Sequence, residues 1–150
     1  MPPPEAQRLE RRLHAAIPLA AHLGVRVLAA TPLEVRLAAP LAPSINHLQT
    51  LFGGSAVAVA TLAAWALLDL KLEQAQLPAR VMIQHSSMHH ERPVTGDFEA
   101  LATSPDAAAW ERFARTLQRR GRSRLTLAAQ LLAGPQRMAS FEGSFVALAR

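Results

Sequence analysis

A Gly53-Gly54-Ser55 turn runs directly into about twenty residues of helix formers, Ala56 to roughly Ala75. A helix that is apolar on nearly every side is stable only when buried, so this stretch has to form the core of the fold. The paired glycines let the backbone bend sharply at the helix entrance and let a ligand approach the main chain. The first turn of any helix carries amides without intrahelical partners and the positive end of the dipole, which suits an anion or a polarised carbonyl oxygen. Asn46, a few residues upstream, offers a further polar contact. The chain therefore presents a polar site at the mouth of a buried helix.

The rest of the chain arranges itself around that helix. Leu9, Leu13, Ala16 and Ile17 repeat at helical spacing over Glu5–Ile17, and Pro18 is expected to stop that helix. Leu23–Ala30 and Leu33–Ala39 flank Thr31-Pro32. In the second segment Leu33, Val35 and Leu37 alternate with Glu34 and Arg36, which predicts two antiparallel strands. Arg80–Arg92 reads as extended and as the candidate edge strand, followed by Asp97–Thr103. Pro105-Asp106 opens a short helix with Trp110, Phe113, Ala114 and Leu117 on one stripe, and Gly121 closes it. Ser123–Leu132 and Arg137–Leu148 are strands around Gly134-Pro135. The order predicts one α+β domain, 1–150, with an antiparallel sheet wrapped around a long central helix.

Composition narrows the chemistry. The chain has no cysteine, which excludes disulfides, thiolate metal sites and a Cys nucleophile. The start of the chain lacks the basic-then-apolar order of a secretory signal, and the apolar run Ala56–Leu68 is short for a bilayer, so a cytoplasmic protein without a membrane span is expected. A net charge of +5 permits a phosphate-bearing ligand. Nucleic acid is not expected, because no aromatic residues are interleaved with the basic ones.

Hydrolytic chemistry at the helix mouth needs a group to activate water. Asp69, the first acid on the central helix, lies roughly 22 Å from Gly54 at about 1.5 Å per residue, too far to serve it. Thr61 lies about two turns beyond Gly54 on nearly the same face, where its hydroxyl either orients a water or bonds the preceding turn. Asn46 either contacts the reacting carbonyl or caps its loop, and Ser55 is expected as the helix N-cap rather than as a nucleophile. His85 and His89 share a strand face but stand roughly 13 Å apart, so no metal site is expected there. His85 and His47 are the candidate bases. Arg119, Arg120, Arg122 and Arg124 have the guanidinium chemistry of a phosphate site, with ordinary solvated surface as the alternative.

The strings Ala39-Pro-Leu-Ala-Pro-Ser-Ile-Asn46, Thr50-Leu-Phe-Gly-Gly-Ser55 and Thr61-Leu-Ala-Ala-Trp65 resemble the putative thioesterase family of the hotdog superfamily. The matching branch is the bacterial domain that occurs alone or behind an acetyltransferase domain. Arg92-Pro-Val-Thr-Gly-Asp97, Gly121-Arg-Ser-Arg-Leu125 and Phe141-Glu-Gly-Ser-Phe-Val-Ala147 extend the likeness along the chain. The resemblance implies a hotdog fold, an edge-to-edge homodimer or dimer of dimers, and acyl-CoA or acyl-carrier thioesters as substrates. No cofactor is implied beyond coenzyme A as part of the substrate. It places Asn46, Gly54 and Thr61 in catalytic positions, and Phe52, Gly53 and Ser55 around the thioester. Phe52 stands where many relatives carry His, and Thr61 where their helix carries Asp or Glu. A non-hydrolytic acyl-CoA-binding module is the alternative this implies. A dehydratase is disfavoured, since no His and acid are placed for it.

Overall fold

The computed structural model describes residues 1–150. The leading helix, Pro4–Ala16 (α1), buries Ala6, Leu9 and Leu13. Pro18 does more than end it. With no amide to leave unpaired, a proline suits the first position of a helix, and Pro18 opens the single turn Pro18–His22 (α2). Strands Arg26–Ala30 (β1) and Glu34–Ala39 (β2) then pair antiparallel. The turn between them is tied by Thr31, whose Oγ1 accepts from the amides of Leu33 and Glu34.

The central helix spans Gly53–Gln74 (α3). By length and composition the whole helix could cross a membrane, although the apolar run Ala56–Leu68 within it is shorter. Most of it is buried inside the protein, and it acts as the core helix. Strand Ala79–His90 (β3) follows, then Phe98–Thr103 (β4), helix Ala107–Arg120 (α4), and strands Arg122–Ala133 (β5) and Gln136–Ala149 (β6). Local chemistry writes both ends of α4. Asp106 accepts from the Ala109 amide at 2.8 Å, and Gly121 takes the left-handed conformation with φ of 72°.

The six strands form one antiparallel sheet in the order β1-β2-β4-β5-β6-β3. Alternation sends Val35, Leu37, Ala100, Ala102, Leu127, Leu131 and Phe145 to the inner face, all buried against α3. Burying one such large side chain contributes about 1.5–3 kcal/mol, so this face dominates the stability of the fold. The sheet wraps the long helix as expected. Edge strand β3 pairs only with β6, and almost its whole length is exposed.

Ion pairs fasten α1 to the far half of α3. Arg8 and Arg12 meet Glu73 at 2.8 and 2.7 Å, and Asp69 faces Arg12. Lys71, the chain's one lysine, is buried, with Nζ 3.3 Å from the Pro32 carbonyl oxygen and 4.6 Å from the centre of the Trp110 ring. Burial pulls its pKa down.

Candidate active site

The mouth of α3 is delivered by the loop 44–52. The Asn46 amide donates to the Thr50 carbonyl, the Leu51 amide to Val94 and the Phe52 amide to Ser44. Asn46 also organises the loop with its side chain. Its Oδ1 accepts from the amides of Leu48 and Thr50 at 2.9 and 3.0 Å, and Nδ2 donates to Thr50 Oγ1 at 2.9 Å. The loop-capping role is thus the one its contacts describe, and one Nδ2 hydrogen is left to face a ligand.

The helix cap is Phe52, not Ser55. The loop contacts fix Phe52 in an extended conformation just before the helix, which puts Ser55 at the third helical position, inside the first turn. The first amide of α3 to find a helical acceptor is that of Ala56, which donates to the Phe52 carbonyl. The amides of Gly53, Gly54 and Ser55 make no hydrogen bond within the protein. They form a set of free donors at the positive end of a helix dipole. Phe52 is 55% exposed, and its ring lies over Gly54: a Cβ on Gly54 would stand 2.5 Å from the ring edge.

Beside these amides stands a histidine that the sequence reading does not select. A Cβ built on Gly53 would lie 3.6 Å from Cε1 and 3.8 Å from Nε2 of His90. The last residue of β3 therefore brings its imidazole against the helix entrance. Gly53, His90, Glu91, Arg92, Leu131 and Ala139 line a cavity of about 310 Å³ there. Glu91 is paired with Arg137 at 3.0 Å. The site thus has donors for a developing oxyanion and a neighbouring group able to take a proton from water.

The other sequence candidates fall elsewhere. His85 pairs with Ser144 on the outer face of the sheet, because the ladder slips between Ile83 and His85 and reverses the alternation. Within one protomer it cannot reach the helix mouth. His47 is exposed in the loop. Thr61 donates to the Val57 carbonyl at 2.7 Å, the bond to the preceding turn, while its oxygen keeps lone pairs free. Arg122 and Arg124 begin β5 and point outward, away from the glycines. No local signal finds His90: alternation counted from Val81 and Ile83 sends it to the outer face, and only the slip at Gln84 turns it inward.

Residues 6–149 match the family described as "Putative thioesterase (yiiD_Cterm)". Among solved structures, the chain is similar to a protein with unknown function from Chlorobaculum tepidum TLS, with TM-score 0.89 and 24% identity over 97% of this chain and 94% of that one. It is also similar to a putative thioesterase from Shewanella oneidensis, with TM-score 0.83 and 26% identity over 95% and 96% of the two chains. A protein of unknown function from Pseudomonas aeruginosa, described as a probable thioesterase, matches with TM-score 0.82 and 24% identity over 100% of this chain and 99% of that one.

Proposed function

The chain belongs to the putative thioesterase family of the yiiD C-terminal type, and from that premise we propose that it hydrolyses acyl thioesters at the mouth of α3. The observation that carries the reading is the trio of unpartnered amides at Gly53, Gly54 and Ser55 beside the His90 imidazole. The thioester oxygen lies on the amides, which stabilise the charge it gains as water attacks. His90 takes the proton from that water, and the thiolate leaves with its carrier. Asn46 holds the loop and offers its spare Nδ2 hydrogen, Thr61 lies further down the same helix face, and Phe52 covers the entrance. The substrate is an acyl-CoA or acyl-carrier thioester, and the setting is cytoplasmic.

The same reading includes a dimer through β3. Its free edge runs over 12 residues and carries Met82 and Ile83 at 48% and 42% exposure, which is the kind of edge that pairs with a second copy.

Thiol release measured across acyl-CoA chain lengths and acyl-carrier thioesters tests the proposal. Wild type should turn over, and His90→Ala should lower kcat by about 10²- to 10⁴-fold with little change in KM. Gly54→Ala should also lose turnover, because its Cβ displaces the Phe52 ring or crowds the amides. A second reading, a non-hydrolytic binding module, is favoured by one feature: Asp69 is tied to Arg12, and no helix carboxylate faces the mouth. Binding without thiol release from any of these substrates establishes that alternative.

A further inference from the structure

The outer face of the sheet carries a second feature at the opposite end of β3. Strand register fixes its layout. Arg80 of β3, Leu148 of β6 and Arg122 of β5 lie in one cross-strand row, and Met82, Val146 and Arg124 lie in the next. Gln84, left out of the ladder by the bulge, closes the far side. Together Met82, Gln84, Arg122, Val146 and Leu148 border a cavity of about 270 Å³ whose floor is apolar.

The charge here is unspent. Arg8, Arg12, Arg36 and Arg137 each have a carboxylate partner, whereas Arg80, Arg122 and Arg124 have none. Glu142, the acid of β6 on that face, is four residues beyond Val146, roughly 13 Å along the strand. Three guanidiniums without counter-charges around an apolar floor call for a ligand that is anionic at one end and flat and apolar at the other.

We propose that this corner of the outer face binds a nucleoside phosphate, its base on Met82, Val146 and Leu148 and its phosphates on Arg80, Arg122 and Arg124. Guanidinium groups meet phosphate oxygens in pairs, and they also stack on flat rings. The size of the cavity fits a single nucleotide rather than a strand. Within one protomer the site is distinct from the helix mouth. Arg80 is ten residues from His90 along β3, roughly 33 Å, and on the opposite face. Edge pairing of β3 with a second copy extends the sheet and leaves this face open. The ligand is either a free nucleotide or the nucleotide end of coenzyme A.

Calorimetric titration of the full chain with ADP, adenosine, pyrophosphate, coenzyme A and pantetheine decides the matter without any thioester turnover. ADP should bind saturably and adenosine should not. Arg122→Ala with Arg124→Ala should weaken ADP by roughly tenfold or more, and added salt should weaken wild type more than this variant. Arg26→Ala, an exposed arginine at the other end of the same face, should leave ADP affinity unchanged. Coenzyme A binding tighter than ADP, with pantetheine also binding, names coenzyme A as the ligand. Equal affinity names the free nucleotide. Absence of saturable ADP binding overturns the proposal. So does ADP affinity insensitive to the double variant, or an equal loss in Arg26→Ala, which would reduce the effect to overall charge. Both variants change exposed side chains, and thermal melts establish that each stays folded.

Discussion

Lys71 shows how one residue can carry a testable charge through the core. Its ammonium lies among α3, the turn after β1 and the Trp110 ring, with a carbonyl oxygen but no carboxylate against it. Burial lowers its pKa from the ordinary 10.5, so the folded state holds this proton less tightly than the unfolded chain does. The unfolded state therefore binds more protons between the folded pKa and 10.5, and stability contributed by this group rises with pH across that window. The chain has no tyrosine or cysteine, so between about pH 9 and 10.5 no other side chain titrates to obscure the effect. Lys71→Met keeps the stem and removes the charge. It should be neutral or stabilising near pH 7, since the cation–ring attraction it forfeits is about 0.5–2 kcal/mol and the burial penalty it relieves acts the other way. Wild type should gain stability relative to the variant as the pH approaches 10.5, as read from urea unfolding. A gap constant with pH would show that Lys71 is solvated in the folded protein.

At the scale of elements, the junction of α1 with α3 predicts a modest acid response. The hydrogen bond from Arg8, then that from Arg12, holds the Glu73 carboxyl below its ordinary value of 4.5. A depressed carboxyl pKa contributes stability that is present above the unfolded value and lost as pH falls through the folded one. Glu73 is 44% exposed on its side chain, so solvent screening limits the pair to about 0.2–1 kcal/mol. Glu73→Gln should cost that much near pH 7, less in high salt, and nothing once wild-type Glu73 is protonated. A loss that persists in acid would mean the side chain matters for packing instead. Elements also differ in how legible they are. Asp106 and Gly121 state the ends of α4 in local chemistry, and the sequence reading finds them. The mouth of α3 is only half local. Its glycines can be read directly, but the cap passes from Ser55 to Phe52 because Ser44 and Val94 pin the preceding loop from a distance. His90 is illegible for a similar reason: the slip at Gln84 sets which way β3 faces, and only long-range pairing brings its end beneath the helix.

For the molecule as a whole, the two edges of the sheet are not alike. The β1 edge spans five residues, carries a bulge, and has its Val27 amide donating to Glu10 of α1 at 2.8 Å. Those are devices that blunt an edge against pairing. The β3 edge has no covering helix, no proline and no lysine along its 12 residues, and beyond Arg80 the strand carries no carboxylate or guanidinium. Two copies meeting there as antiparallel strands across a two-fold would set Gln84, His85 and Ser86 near the axis, each close to its own counterpart. Gln84→Glu together with Ser86→Glu places like charges across that axis, where directly opposed charges destabilise strand pairing. Both positions are exposed, so the protomer should fold unchanged by circular dichroism while sedimentation shifts from dimer to monomer. If thioester turnover falls with the dimer while His90 and the α3 amides remain in place, the partner completes the site. A wild type that sediments as a monomer, or a variant that remains dimeric, would remove β3 as the interface, and the exposure of this long strand would need another explanation.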